Sequence, residues 1–168
     1  KNGEIEMTFP AEPVVRVRSP KGIEKALGIK PQRVFANRLD LLVLLNSDKE
    51  VRELMPSLSD VAGLIIDGDE PRTPRGVIVT AQAREGVACD FVSRYFAPGI
   101  GVGEDPVTGS AHCALGPFWS KRLKKTELVG YQASARGGRV GVVHNDTRVT
   151  LIGTAITMMH CQLQHDRV

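Results

Sequence analysis

Residues 110–125 read SAHCALGPFWSKRLKK, and this stretch decides the fold that the sequence predicts. Apolar residues recur in it at i, i+3, i+4 and i+7, which is the spacing of one helical face. These residues are Ala111, Ala114, Leu115 and Phe118. Between Ala111 and Trp119 the only polar side chain is His112, so the helix is apolar nearly all round and should be buried nearly all round.

The sequence on both sides of this helix is typical of strands, with only short helices predicted at residues 22–27 and 48–55. Strands are predicted at residues 5–9, 41–45, 64–66, 77–82, 87–92, 130–135, 139–144, 148–152 and 155–163, and residues 14–18 form either another strand or an extended linker. The alternation of apolar and polar residues at 5–9 predicts a half-buried strand, and the unbroken apolar run at 41–45 predicts a strand covered on both faces. Asn145-Asp146 predicts a tight turn. A buried helix among many strands indicates an α+β fold. We expect a mixed, largely antiparallel sheet rolled around a central buried helix.

Composition limits the classes of protein to which the chain can belong. Its 168 residues, 42% hydrophobic and 24% charged, predict a single globular domain over residues 1–168. The net charge of +3, without a basic run interleaved with aromatics, argues against nucleic-acid binding. No apolar run approaches the roughly 18 residues of a membrane span. Three cysteines without a CxxC pair favour a reducing, cytoplasmic location.

The loop that enters the central helix, residues 103–110 (GEDPVTGS), is the candidate functional segment. Gly109 lets the backbone approach a ligand closely, and Ser110 is a natural N-cap. The free N–H groups of a first helical turn attract anions, and the hydroxyls of Thr108 and Ser110 add polar groups. Asp105 lies beside this anion site. The pattern is compatible with a capped helix after an Asp-Pro turn, or with a site that binds a substrate carboxylate and moves a proton nearby.

Other cofactor and metal motifs fail on their spacing. Residues 99–103 form GxGxG, which lacks the third glycine of a dinucleotide-binding loop and the lysine of a phosphate loop. The pairs His112-Cys113 and His160-Cys161 are adjacent residues whose side chains diverge, so a zinc site is not expected. We therefore predict no metal and no cofactor.

Several segments together resemble the phenazine biosynthesis-like isomerase family (PhzF type), whose relatives include diaminopimelate epimerase. The resemblance is carried by residues 3–11, by 91–98 (FVSRYFAP), by 104–112 (EDPVTGSAH), by Pro117 and Trp119, and by 132–138 (QASARGG). It spans nearly the whole chain, and the EDPVTGSAH string is long and specific.

The resemblance implies a two-domain protein in which each half is a mixed sheet around a central helix, with the active site in the cleft between the halves. Members of this family rearrange or epimerise small carboxylic acids by proton transfer, without cofactor or metal. The phenazine enzyme itself isomerises a dihydro-hydroxyanthranilate. By resemblance, Gly109 and Ser110 bind substrate through the helix start, with Thr108 beside them, and Asp105 belongs to the catalytic pocket.

One departure from the family pattern bears on activity. The family's main acid/base glutamate lies in the first half, and no glutamate of this chain stands in the corresponding context. The chain is thus expected to resemble the C-terminal half, to lack the N-terminal half, and to be inactive by itself. We also expect homodimers, either natural ones or ones formed through the apolar surface that an isolated half would expose.

Two alternatives to a proton-transferring isomerase remain open at this point. The first is a non-catalytic binding or interaction protein on the same scaffold, because a fold does not guarantee retained chemistry. The second is an amino-acid racemase with thiol bases. It is weaker because no cysteine stands at the predicted pocket, and Cys113 is expected to be a core residue of the helix.

Overall fold

The structure of the chain is a computed structural model that describes residues 3–162. Residues 1–2 and 163–168 lie outside the described part. The strands are β1 (Glu4–Pro10), β2 (Val15–Arg16), β3 (Arg33–Ala36), β4 (Leu41–Leu44), β5 (Val77–Gln82), β6 (Phe91–Phe96), β7 (Glu127–Gln132), β8 (Gly138–Asn145) and β9 (Arg148–Thr154). The α-helices are α1 (Ile23–Leu27), α2 (Asp48–Glu53), α3 (Leu58–Ala62) and α4 (Gly109–Leu123), and a short 3₁₀ turn covers Pro98–Ile100.

All of these strands form one sheet, in the order β1-β9-β8-β7-β6-β5-β4-β3-β2. The pairings β4–β5 and β6–β7 are parallel, and the other six are antiparallel. The predicted α+β class, with a mixed and largely antiparallel sheet, is confirmed.

The long helix α4 packs on one face of the sheet, and the short helices α1, α2 and α3 pack on the other. The α4 face forms a core with side chains from β3 to β9, among them Leu42, Ile78 and Leu151. A second core on the opposite face contains Leu41, Val43 and the buried apolar residues of the short helices. Successive residues of β4 therefore enter different cores, as expected for a strand that is covered on both faces.

The helix α4 is buried as its sequence predicts. Ala111, Ala114 and Leu115 are at most 1% exposed. At Gly116 a side chain would bring a Cβ to 3.1 Å from Val142 and 3.2 Å from Val149, so this glycine lets the helix lie close to the sheet. The helix is thus a central element rather than a surface one.

The structure corrects several predicted strands. Residues 64–66 form only a single bridge, between Ile66 and Arg72. The strand predicted at 87–92 lies at Phe91–Phe96, and the one predicted at 130–135 lies at Glu127–Gln132. Residues 155–162 are not a strand, and residue 163 lies outside the described part. The side chains of residues 155–162 are exposed, so packing against a neighbouring surface does not stabilise a strand in this segment. The sequence reading also missed β3 and α3.

The edge strand β1 was predicted to be half-buried, and this is wrong. All seven of its residues are exposed, including Ile5 (48%), Met7 (53%) and Phe9 (37%). The register pairs Met7 with Leu151 and Phe9 with Val149, two residues that pack on α4, so the apolar row of β1 shares the α4 face of the sheet. The sheet extends beyond α4 on this face, so the helix does not cover the apolar side chains of β1. Homodimer formation through an apolar surface stays a prediction.

Within residues 3–162, no helix combines the length and the apolar character that crossing a membrane requires.

Candidate active site at the start of the central helix

The residue that precedes α4 is Thr108, not Ser110 as the sequence predicted. Thr108 has extended backbone angles (φ −105°, ψ 106°), and the helix begins at Gly109. The Thr108 side chain does not cap the helix, because its hydroxyl is directed elsewhere. Gly109 and Ser110 are exposed in the first turn. The amino end of α4 is therefore open and carries its unsatisfied N–H groups.

A buried hydrogen-bond network fixes Asp105 beside this helix end. The Thr108 hydroxyl donates to Oδ2 of Asp105 at 2.5 Å. Gln132 Nε2 donates to the Thr108 hydroxyl at 3.1 Å and to the Asp105 carbonyl at 2.6 Å, while Gln132 Oε1 accepts from the Thr108 N–H at 2.8 Å. Since the Thr108 hydroxyl accepts from Gln132, its own proton points to Asp105.

The four predicted site residues are neighbours along the chain, but only Gly109 and Ser110 line the two pockets described below, and Asp105 and Thr108 line neither of them. Thr108 is only 6% exposed and its hydroxyl is used within the protein. Asp105 is half-buried, and no hydrogen bond from residues 3–162 reaches its Oδ1. Ser110 is exposed, and its hydroxyl oxygen accepts a hydrogen bond from Arg75 at 3.0 Å. The roles of Asp105, Thr108, Gly109 and Ser110 toward a substrate stay predictions.

Gln132 is a site residue that sequence reasoning missed. It is fully buried at the end of β7, although glutamine is usually exposed. Its position 24 residues from Thr108 left no local signal of the contact. Only the pairing of β7 with β6 brings it under the helix entrance.

An ion pair holds the loop that precedes Asp105. Arg94 on β6 makes a bidentate pair with Glu104, at 2.7 and 2.9 Å, and is 9% exposed. Its remaining nitrogen donates to the Leu54 carbonyl at 2.6 Å. Arg94 therefore ties the loop to the end of α2.

Two open pockets meet at Gly109. The first, which we call the Arg75 pocket, has a volume of about 350 Å³ and is lined by Gly109, Ser110, Asp40, Arg75, Cys113, Arg38 and their neighbours. The second, the glycine-loop pocket, has about 560 Å³ and is lined by Gly109, Arg136, Gly137, Met7 and Leu151 among others. Only the Arg75 pocket is lined by both of the residues predicted to meet the substrate through the helix start.

The cysteines give little support to thiol chemistry at this site. Cys113 is 5% exposed and packs in the core, as predicted, although it also forms part of the wall of the Arg75 pocket. Burial raises the pKa of its thiol, which disfavours the reactive thiolate. In the part of the chain that the structure describes, no group of three or more His, Cys, Asp or Glu side chains is arranged to hold a metal ion.

His112 lies directly beneath the open helix end and is fully buried. Its Nδ1 bonds to the Thr108 carbonyl at 2.7 Å, whereas its Nε2 has no partner within residues 3–162. Burial lowers the pKa of His112 below its usual value, because the charged ring would be desolvated. The neutral ring is thus the form that the fold accommodates.

This burial predicts that the folded chain loses stability in acid through His112. In the unfolded chain His112 has its ordinary pKa of 6.5, and in the folded chain this pKa is lower. As the pH falls below 6.5, the unfolded chain binds a proton at His112 that the folded chain does not bind, so the folded chain loses stability. The loss reaches up to about 1.4 kcal/mol per pH unit. Urea unfolding of the parent and of His112→Gln at pH 5 and 7.5 should show a smaller pH effect in the variant. His160→Gln, at an exposed position outside the strands and helices, is the control, and an equal pH effect in parent and His112→Gln would contradict the prediction.

A comparison with protein-family models places this arrangement in a known group. Residues 4–161 match the model described as phenazine biosynthesis-like protein. The chain belongs to the phenazine biosynthesis-like family. The resemblance found in the sequence is thereby confirmed, and the family model covers the loop, α4 and Gln132 alike.

Curated relatives and solved structures of this family agree with the fold. An uncharacterized isomerase of Halalkalibacterium halodurans is 42% identical over 165 residues, which cover 97% of this chain and 59% of that protein. An uncharacterized isomerase of Pseudomonas aeruginosa is 45% identical over 153 residues, which cover 90% of this chain and 54% of that protein. The crystal structure of a PhzF family protein from Enterococcus faecalis has a TM-score of 0.82 at 36% identity, covering 92% of this chain and 55% of that one.

The chain therefore spans between half and three-fifths of the length of these relatives. The family match extends along nearly the whole chain and gives no support to the expectation that the chain is inactive by itself. The relatives are named as isomerases, and their names give no substrate.

Proposed function

We propose that the protein carrying this chain is a cofactor-independent isomerase or epimerase that moves a proton on a small carboxylic acid, and that this chain supplies half of the active site. One observation carries the proposal. The open amino end of α4 begins four residues after a carboxylate, Asp105, that Thr108 holds in place at 2.5 Å. The isomerase names of the relatives support the same reaction class.

The open helix end suits a substrate carboxylate. The first-turn N–H groups of Gly109 and Ser110, together with the helix dipole, favour a negative charge at this position. The exposed hydroxyl of Ser110 adds a donor. A carboxylate held there brings the carbon skeleton of the acid next to the loop of Asp105.

Asp105 then assists the proton transfer. Thr108 occupies Oδ2, which leaves Oδ1 to exchange a hydrogen bond or a proton with the substrate. In this scheme a base from the first half of the family's architecture removes a proton from carbon, and the proton returns to a different carbon or to the opposite face of the same one. Hydrogen bonds to the substrate carboxylate stabilise the negative charge that develops between the two steps.

The test is exchange of substrate hydrogen with solvent. The full-length protein that carries this chain is incubated in D₂O with a panel of small carboxylic acids, including a dihydro-hydroxyanthranilate, and products are followed by NMR and mass spectrometry. We expect at least one acid to gain deuterium at carbon and its methyl ester to gain none. Binding of acids without exchange would favour a non-catalytic binding protein, and the absence of both would overturn the carboxylate site as well.

A further inference from the structure

Arg75 is held at the wall of the Arg75 pocket by a buried carboxylate. Asp40 is 1% exposed and receives two hydrogen bonds from Arg75, Nε to Oδ1 at 3.1 Å and Nη2 to Oδ2 at 2.6 Å. The Tyr95 hydroxyl donates to the same Oδ1 at 2.9 Å. The guanidinium of Arg75 is thus fixed on one side, while about 31% of its side chain remains exposed.

The sheet topology explains why these residues meet. Asp40 comes just before β4 and Arg75 just before β5, and these two strands are parallel neighbours. Their amino ends share one edge of the sheet, where the Arg75 N–H also donates to the Leu39 carbonyl at 2.7 Å. Tyr95 arrives near the end of β6, which is antiparallel to β5. The cluster is therefore anchored at the ends of three neighbouring strands of the sheet.

The same Nη2 of Arg75 donates to the hydroxyl oxygen of Ser110 at 3.0 Å. A guanidinium has only donors, so at this contact the serine oxygen must accept. The single proton of the Ser110 hydroxyl is then free to point away from Arg75. It becomes a donor at the helix start, where the first-turn N–H groups are also donors.

We propose that Arg75 is a positioning residue that orients the Ser110 hydroxyl as a hydrogen-bond donor toward a bound carboxylate, with Asp40 and Tyr95 holding the guanidinium in place. The inference rests on the function proposed above and adds a determinant of affinity that lies outside the helix entrance. Arg38 lines the same pocket but pairs with Glu12 at 2.6 Å and makes no hydrogen bond to Ser110 within residues 3–162, so it supplies a matched control.

A double-mutant cycle on the 168-residue chain tests this role. The probe is benzoate, an aromatic monocarboxylate, titrated against the amide NMR signals of residues 109–111, with uncharged benzyl alcohol as the comparison. Arg75→Met is expected to weaken benzoate binding about tenfold, because a preorganised hydrogen bond to a charged group is lost. In a Ser110→Ala background the same change is expected to weaken binding less than twofold. Arg38→Met is expected to change it less than twofold.

Removal of Arg75 alone leaves Asp40 buried without its partner, so the cycle is repeated with Asp40→Asn together with Arg75→Met, which also removes the buried charge. Equal effects of Arg75→Met with and without the Ser110 hydroxyl would overturn the inference, as would no effect at all. If the parent chain shows no benzoate-dependent shifts at residues 109–111, the proposed carboxylate site itself fails. That outcome is distinct from an additive cycle in a parent that binds.

Discussion

Asp105→Asn is expected to lower kcat/KM for the proposed isomerisation, measured on the full-length protein that carries this chain, by about 10² to 10⁴, the range typical of a lost general acid or base. Asparagine keeps the shape of the side chain and can still accept from the Thr108 hydroxyl, so the network that includes Gln132 should survive. What disappears is the ability of the free oxygen to take or give a proton. Deuterium exchange with the true substrate measures the effect directly.

The same variant should still bind carboxylates, since the helix end and Ser110 are unchanged. A loss in kcat with a KM within about threefold of the parent is therefore expected. Asp146→Asn is the matched control: Asp146 is exposed in the β8–β9 turn at φ 46°, a conformation that asparagine also tolerates. Unchanged activity in Asp105→Asn would remove Asp105 from the mechanism, and a loss that equals a loss of folded protein would assign it a structural role.

The central helix and the loop that enters it could be predicted because their signals are local, although the residue that precedes the helix is Thr108 and not the predicted Ser110. The apolar spacing from Ala111 to Phe118 predicts the helix. The unbroken apolar run at 41–45 predicts a strand that is covered on both faces. The turn at Asn145-Asp146 is equally local, and Asp146 adopts the left-handed backbone expected there. Each of these features depends on residues that lie close together along the chain.

The features that the sequence did not predict depend on contacts far apart along the chain. Arg75 lies 35 residues from both Asp40 and Ser110, and Tyr95 lies 55 residues from Asp40. Two parallel strands and one antiparallel strand bring these side chains to the same edge. The exposure of β1 also depends on elements that are far apart along the chain. Its alternating pattern is typical of a half-buried strand, but α4 lies where it does not cover the apolar side chains of β1.

The network around Asp105 is expected to be the most sensitive part of the fold. Gln132→Glu should reduce the free energy of unfolding by about 3 to 5 kcal/mol at pH 8, because the change keeps the shape and replaces an amide donor by a charged acceptor. In the parent, Nε2 of Gln132 donates to two oxygens, the carbonyl of Asp105 and the hydroxyl of Thr108. An ionised glutamate would face both of them without a proton, in a site that is 0% exposed.

This cause gives the prediction a pH signature. Protonation removes the charge and restores one donor, so the stability difference between Gln132→Glu and the parent should narrow as the pH falls from 8 toward 5. Urea unfolding monitored by circular dichroism measures it, and Gln82→Glu, at an exposed position of β5 in the same sheet, is expected to cost less than about 0.5 kcal/mol. If both variants lost the same stability at every pH, the deficit would come from glutamate in a strand and not from the orientation of the Thr108 hydroxyl. A deficit confined to Gln132→Glu and growing with pH would show that one buried amide directs the hydroxyl that holds Asp105.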